Sequence, residues 1–249
     1  MPFIPIATTS LDGVTEQSFT VDDIPGVLWT PEHETGPRPL ILMGHGGGLH
    51  KKAPGITARA ARFAAEGGFA VAAIDAPNHG DRPRDEKFTR AAIDMRARLA
   101  SGEDPATAVA GMHELLAGQA VADWQTVITA VQQLDQVGAG PVGYSGFSLG
   151  AGLGVPLVAA EPRIRAAVLG LLGITGMAGT AVQVTVPVLF LLQWDDELVP
   201  RDQGLALFGA LGSADKTLHA NPGRHGQIPP FETGDALRFF VRHLGTPRG

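Results

Sequence analysis

The sequence has no cysteine and a single tyrosine. Without cysteine there are no disulfides, no thiolate metal centres and no cysteine nucleophile. Aromatic residues are 6% and charged residues 18% of the 249. Positive charge is also scarce: Lys+Arg 19 against Asp+Glu 25 gives a formal charge of −6. With no basic stripe, neither nucleic acid nor an anionic membrane is an expected partner. The longest apolar stretches, around 166–174 and 186–192, fall far short of the roughly 20 residues a membrane span needs. Met1-Pro2-Phe3-Ile4-Pro5 lacks the basic start and apolar run of a secretory signal, so a cytoplasmic protein is expected.

What is plentiful is core material and punctuation. Hydrophobic residues reach 44%, and Gly 33 plus Pro 19 are scattered between apolar runs without a repeat period. Short apolar runs alternate with longer amphipathic ones, the pattern of βα units around a mostly parallel sheet. Strands are expected at 40–43, 69–74, 141–145, 164–172, 186–192 and 216–220. Helices are expected at 55–66, 151–160, 202–211 and 232–244. Ahead of them, 16–21 and 26–30 flank Asp22-Asp23-Ile24-Pro25 as an antiparallel hairpin on the sheet edge. About sixty residues separate the strand ending near Asp75 from the one starting at Pro141, more than one crossover helix requires. A helix over 117–134 supplies the crossover, leaving 81–116 as a cap insertion within a single domain, 1–249.

Gly146-Phe147-Ser148-Leu149-Gly150 follows a predicted strand and opens a predicted helix. Small residues on both sides of a serine allow the tight strand-to-helix turn that presents a nucleophile. A second glycine cluster, Gly44-His45-Gly46-Gly47-Gly48, directly follows the first apolar strand. Acyl transfer needs backbone N–H donors aimed at a developing oxyanion, and glycines let the chain approach a substrate closely. A phosphate loop would need a terminal Lys-Ser/Thr pair, and the chain continues Leu49-His50-Lys51-Lys52 instead.

A serine hydroxyl also needs a base, and the base an orienting acid. Of eight histidines, His225 lies in a loop after the last predicted strand, able to reach over the C-terminal edge of a sheet. Gln193-Trp194-Asp195-Asp196-Glu197 ends the preceding strand with three adjacent carboxylates. The order serine, acid, histidine is that of the nucleophile-elbow architecture.

On these residues the chain resembles the α/β-hydrolase superfamily, from about Leu40 to Leu244, and within it the compact esterase and dienelactone-hydrolase-like branches. The segment Asp75-Ala76-Pro77-Asn78-His79-Gly80 is similar to an Asp-x-x-x-His-Gly pattern of that family, which makes His79 structural. The resemblance implies a mostly parallel twisted sheet of about eight strands with helices on both faces. It makes Ser148 the nucleophile and His225 the base. Asp196 becomes the acid, because Val199-Pro200 aligns with a Gly-x-x-Asp-x-x-Val-Pro pattern; Gln193 stands where that glycine usually does, which keeps Asp195 as an alternative. Leu149 and Gly47 become the oxyanion donors, with Gly48 the fallback. No metal or organic cofactor is implied.

Serine at 148 argues against aspartate-dependent dehalogenases and epoxide hydrolases and departs from the cysteine of true dienelactone hydrolases. The expected activity is hydrolysis of small to medium carboxylic esters. A thioesterase or amidase using the same triad, and a non-catalytic ligand-binding protein, are the alternatives. Residues 81–116 and 173–183 are the expected pocket walls, and Gly48, Phe147, Trp194 and Tyr144 are expected near the substrate. Lys51 and Lys52 are expected as solvated residues at a helix start, with recognition of a substrate carboxylate as their other reading. The expected partner is a small-molecule ester; oligomeric state is not legible.

Overall fold

A computed structural model of the chain describes residues 2–33 and 36–245; the ends of the expected 1–249 domain, residue 1 and residues 246–249, lie outside the described residues. Among the described residues nine strands form one sheet: β1 (Ile4–Leu11), β2 (Val14–Val21), β3 (Ile24–Pro31), β4 (Leu40–Gly44), β5 (Ala70–Ile74), β6 (Val142–Phe147), β7 (Ile164–Gly170), β8 (Val188–Gln193) and β9 (Lys216–Asn221). Among the same residues seven helices intervene: α1 (Pro54–Gly67), α2 (Glu86–Ala100), α3 (Pro105–Val131), α4 (Leu149–Ala160), α5 (Ala178–Ala181), α6 (Arg201–Ala210) and α7 (Phe231–Leu244). Strand order is β1-β2-β3-β5-β4-β6-β7-β8-β9, antiparallel through β3–β5 and parallel from there on.

Both faces of the parallel part are covered, which is why its strands read as unbroken apolar runs. Along β4, Leu40 and Leu42 enter one core with Trp124 and Val127 of α3 and Val155 of α4. Ile41 and Met43 point the other way, to Phe63 of α1 and Phe240 of α7. From β4 the chain adds β5 on one side and then β6 on the other, so β4 and β6 flank the point where an open parallel sheet leaves a crevice at its C-terminal edge. Gly44 and Gly146, the last residues before the two glycine loops, pair directly across that point.

Three features depart from the expected layout. The sheet gains β1, a strand that pairs only with β2 and is exposed along its whole length; with no buried face it carries no period-two signal. The crossover helix begins at Pro105, not near residue 117. Asp104 caps it by accepting from the Thr107 N–H at 3.1 Å, and Pro105 occupies the first turn, where its missing N–H is harmless. The inserted segment is therefore α2 together with the N-terminal part of a helix shared with the crossover. Finally, a separate small core joins this segment to the domain, with Phe88, Met112 and Leu116 against Leu149 and Leu153 of α4.

Candidate active site

Ser148 stands between β6 and α4 with φ 55° and ψ −122°. A non-glycine residue with positive φ stores strain of roughly 1–3 kcal/mol and persists only where its surroundings over-determine it. Here the Ser148 N–H donates to the Gly170 carbonyl at 3.1 Å, and its own carbonyl accepts from Ala151 and Gly152 at 2.9 Å. The two motif glycines make the approach possible. A Cβ on Gly146 would lie 2.5 Å from the Gly150 carbonyl oxygen, and one on Gly150 would lie 2.5 Å from that of Gly44.

Ser148 opens into a cavity of about 760 Å³ whose walls also include His225, Leu149, Gly47, Gly48 and Phe147. Behind His225 the Asp196 carboxylate is fixed from both sides. His225 Nδ1 lies 2.8 Å from Asp196 Oδ2, while Asp196 Oδ1 accepts from the Leu198 and Val199 N–H groups at 2.8 and 2.9 Å. A carboxylate only accepts, so the imidazole proton sits on Nδ1 and Nε2 keeps its lone pair. Asp195 turns to the neighbouring loop instead, its Oδ2 accepting from Gly223 N–H at 3.4 Å.

The two loops are tied together. The His225 N–H donates to Glu197 Oε2 at 3.0 Å, and this bond, ahead of the residue's own backbone N–H, pulls the exposed Glu197 carboxyl down to about 2. Gln193, in the place of a glycine, donates from Nε2 to the carbonyls of Arg224 at 3.3 Å and Gln227 at 2.8 Å. It joins the strand that leads to Asp196 to the loop that carries His225.

Opposite them, Gly47 and Leu149 are neighbours: a Cβ on Gly47 would lie 3.9 Å from that of Leu149. Leu149 is the first residue of α4, where an N–H has no intrahelical acceptor. The Gly47 N–H has no partner among the described residues.

The glycine loop is braced from beneath. Buried His45 accepts from the Ala76 N–H through Nε2 at 3.0 Å and donates from Nδ1 to the Gly46 carbonyl at 2.9 Å. Burial pushes its imidazole down to about 4, so it is neutral near pH 7. Lys51 is buried, contrary to the expectation of a solvated lysine. Its backbone N–H reaches Asp75 Oδ1 at 2.8 Å, and its Nζ lies 2.6 Å from both Asp75 Oδ2 and Asp81 Oδ2. Burial works against both the Lys51 ammonium and the Asp75 carboxylate. Their hydrogen bonds outweigh it, leaving Lys51 above and Asp75 below the ordinary value. Lys52 pairs with Glu16 at 2.6 Å. Neither lysine lines the cavity. His79 packs on the His45 and Phe88 rings, its Nδ1 2.9 Å from the Pro77 carbonyl.

Helices α2 and α3 roof the cavity with one face each: Phe88, Ala92, Met95 and Leu99 on one, Val109, Met112, His113 and Leu116 on the other. Those spacings of three and four are the signal by which the sequence offers them. His113 is the most consequential residue sequence reasoning passed over. It is buried over Gly152, burial pushes its imidazole down to about 4, and it lines both the main cavity and a smaller one shared with Ser148 and His225. Of residues 173–183, Gly173 and Thr175 reach the smaller cavity. Two expected lining residues are elsewhere. Trp194 lies outside both cavities with Arg201 stacked 3.8 Å above its ring, and Tyr144 is sealed in the core, its hydroxyl donating to the Gly150 carbonyl at 2.6 Å. Among the described residues one cluster offers metal-type ligands, His219, Glu232 and Asp235, and it lies outside the cavity.

No protein-family model matches the sequence, and no curated protein does. Solved structures do. The chain is 34% identical to a cold-adapted esterase from an Arctic intertidal metagenomic library, over 95% of this chain and 97% of that one, with a TM-score of 0.77. An acetyl xylan esterase from Paenibacillus sp. R4 (16% identity, 97% and 88% covered, TM-score 0.68) shares the fold. So does the Pyrococcus furiosus esterase Pf2001 (12%, 97% and 99%, 0.68).

Proposed function

This chain belongs to the α/β-hydrolase esterases, and from that premise we propose that it cleaves carboxylic esters of small to medium acyl groups through an acyl-enzyme on Ser148. The observation that carries the reading is the 2.8 Å bond between His225 Nδ1 and buried Asp196, behind an imidazole that shares a cavity with Ser148. His225 Nε2 takes the Ser148 proton as Oγ attacks the ester carbonyl. Asp196 holds the tautomer and stabilises the imidazolium that forms.

The Gly47 and Leu149 N–H groups receive the tetrahedral oxyanion, each contributing about 3–4 kcal/mol by the usual effect of losing one donor. The imidazolium returns its proton to the leaving alkoxide, and the alcohol departs. Water, deprotonated by the same imidazole, then attacks the acyl-enzyme; collapse of the second oxyanion releases the acid and restores Ser148. Helices α2 and α3 act as the cap that closes over the acyl group. A ligand-binding role without catalysis would leave the strained serine, its free N–H donors and the oriented histidine without use.

Pre-steady-state hydrolysis of p-nitrophenyl acetate tests the scheme. A burst of nitrophenolate near one equivalent per chain, absent in Ser148→Ala, is expected. Turnover of Ser148→Ala at the wild-type rate would remove the assigned nucleophile. Parallel progress curves with an acyl-CoA separate an esterase from a thioesterase, the ester being the faster substrate on this reading.

A further inference from the structure

The cavity is positive in a chain that is negative overall. Its walls include three arginines, Arg59, Arg84 and Arg96, and no aspartate or glutamate, although the whole sequence carries −6. Arg84 and Arg96 are on the exposed roof side, while Arg59 belongs to the floor. It stands on α1 three residues after Ile56, another wall residue, and its guanidinium lies 4.8 Å over the ring of Phe147, the residue before Ser148.

Among the described residues Arg59 has no acid beside it, in contrast to several arginines elsewhere in the chain. Arg62, Arg82, Arg98, Arg163 and Arg238 each pair with a carboxylate. For Arg59 no ion pair or hydrogen bond exists among the described residues, and its Nε is buried without an acceptor. Burial, with nothing to oppose it, pulls the guanidinium down to about 10, so it remains charged near neutral pH. Arg59 is half-buried, and a cation partly withdrawn from water without a counter-charge is unfavourable unless a ligand supplies one. Planar guanidinium donors suit a carboxylate in particular.

We propose that Arg59 is an anion subsite of this cavity and that the preferred substrates are esters carrying a free carboxylate, such as monoesters of dicarboxylic acids. The proposal rests on the esterase reading. The apolar roof accepts the methylene chain, Arg59 the distal carboxylate, and Arg84 and Arg96 raise the local concentration of anionic esters.

The test is methanol release from monomethyl adipate, dimethyl adipate and methyl hexanoate by wild type, Arg59→Met and Arg59→Lys, with fluorophosphonate labelling of each. Wild type is expected to favour monomethyl adipate over methyl hexanoate in kcat/KM by at least about tenfold, the effect of one charge-assisted hydrogen bond. That ratio should shrink with added salt. In Arg59→Met it should fall to about one or below, with Arg59→Lys between. If methyl hexanoate is turned over and the wild-type ratio is one or less, the subsite is overturned while the esterase reading stands. An unchanged ratio in Arg59→Met equally overturns it, leaving the arginine a packing partner of Phe147. If wild type cleaves none of the three and is not labelled, the esterase reading itself fails and the subsite with it. Should Arg59→Met not fold, the wild-type ratio and Arg59→Lys decide.

Discussion

The floor and the roof of the cavity are built on different principles. The floor is the C-terminal edge of the sheet, where Ser148, His225 and Asp196 are each held by specific hydrogen bonds and the glycine loop with Gly47 is braced through its neighbours His45 and Lys51. The roof is two amphipathic helices, of which α2 carries one buried residue among those described, Phe88, and its outer face is solvated. Positions on the floor are fixed by geometry that a single atom would disturb, as a Cβ on Gly146 or Gly150 would. Positions on the roof need only be apolar and of about the right size. Chemistry is accordingly expected to reside in the floor, and acyl-chain preference in the roof.

That contrast can be broken by substitution, beginning with the floor. Asp196→Asn keeps the shape but reverses the hydrogen-bond demand on His225 Nδ1, so kcat should fall about 10⁴-fold in steady-state kinetics, the loss typical of a triad aspartate. A loss under tenfold would mean that Asp196 does not orient the base.

Next comes the brace beneath the glycine loop. Lys51→Met leaves Asp75 buried and unpaired, and urea unfolding should report a loss of about 3–5 kcal/mol. Lys51→Met/Asp75→Asn should recover part of it, because no uncompensated charge remains. A double variant no more stable than the single one would contradict the latch.

Acid should weaken both the brace and the roof. His45 and His113 hold folded values of about 4, below the ordinary imidazole value of 6.5, so the folded chain binds fewer protons between those pH values and stability rises with pH there. Their contribution is complete above about pH 6.5 and is lost as pH falls toward 4, on the order of 3 kcal/mol for each at 1.36 kcal/mol per pKa unit. Asp75, held below its ordinary value, adds its own loss at still lower pH. A urea midpoint that did not move between pH 7 and pH 4.5 would refute this.

On the roof, Met112→Ala should shift acyl preference toward longer chains by about 1 kcal/mol, roughly fivefold in kcat/KM ratio. Labelling of Ser148 by fluorophosphonate should be retained. A loss of labelling would place Met112 in the machinery of the floor.

The two regions also differ in how far the sequence disclosed them. The floor was legible because its demands fall on consecutive residues: glycines on both sides of Ser148, glycines after β4, and Val199-Pro200 fixing which of two aspartates meets His225. The reason for Gln193 was not legible, since the carbonyls it bonds, those of Arg224 and Gln227, lie 31 and 34 residues further along the chain. Lys51 was misjudged for the same reason: the carboxylates that bury it, Asp75 and Asp81, come from a different loop. The roof was seen as an insertion without its lining. There the helical spacing of Val109, Met112, His113 and Leu116 and the Asp104-Pro105 start were present, and the crossover helix placed at 117 obscured both. Trp194, two residues before Asp196, is expected in the pocket from its proximity along the chain, whereas the strand's exit carries it under Arg201.

The central claim is an activated serine at 148, and the most direct measurement is fluorophosphonate labelling with intact mass and peptide mapping. One adduct per chain on Ser148, none in Ser148→Ala and slow labelling in Asp196→Asn is the predicted result. A folded wild-type chain that takes no label, or takes it on another serine, would contradict the account.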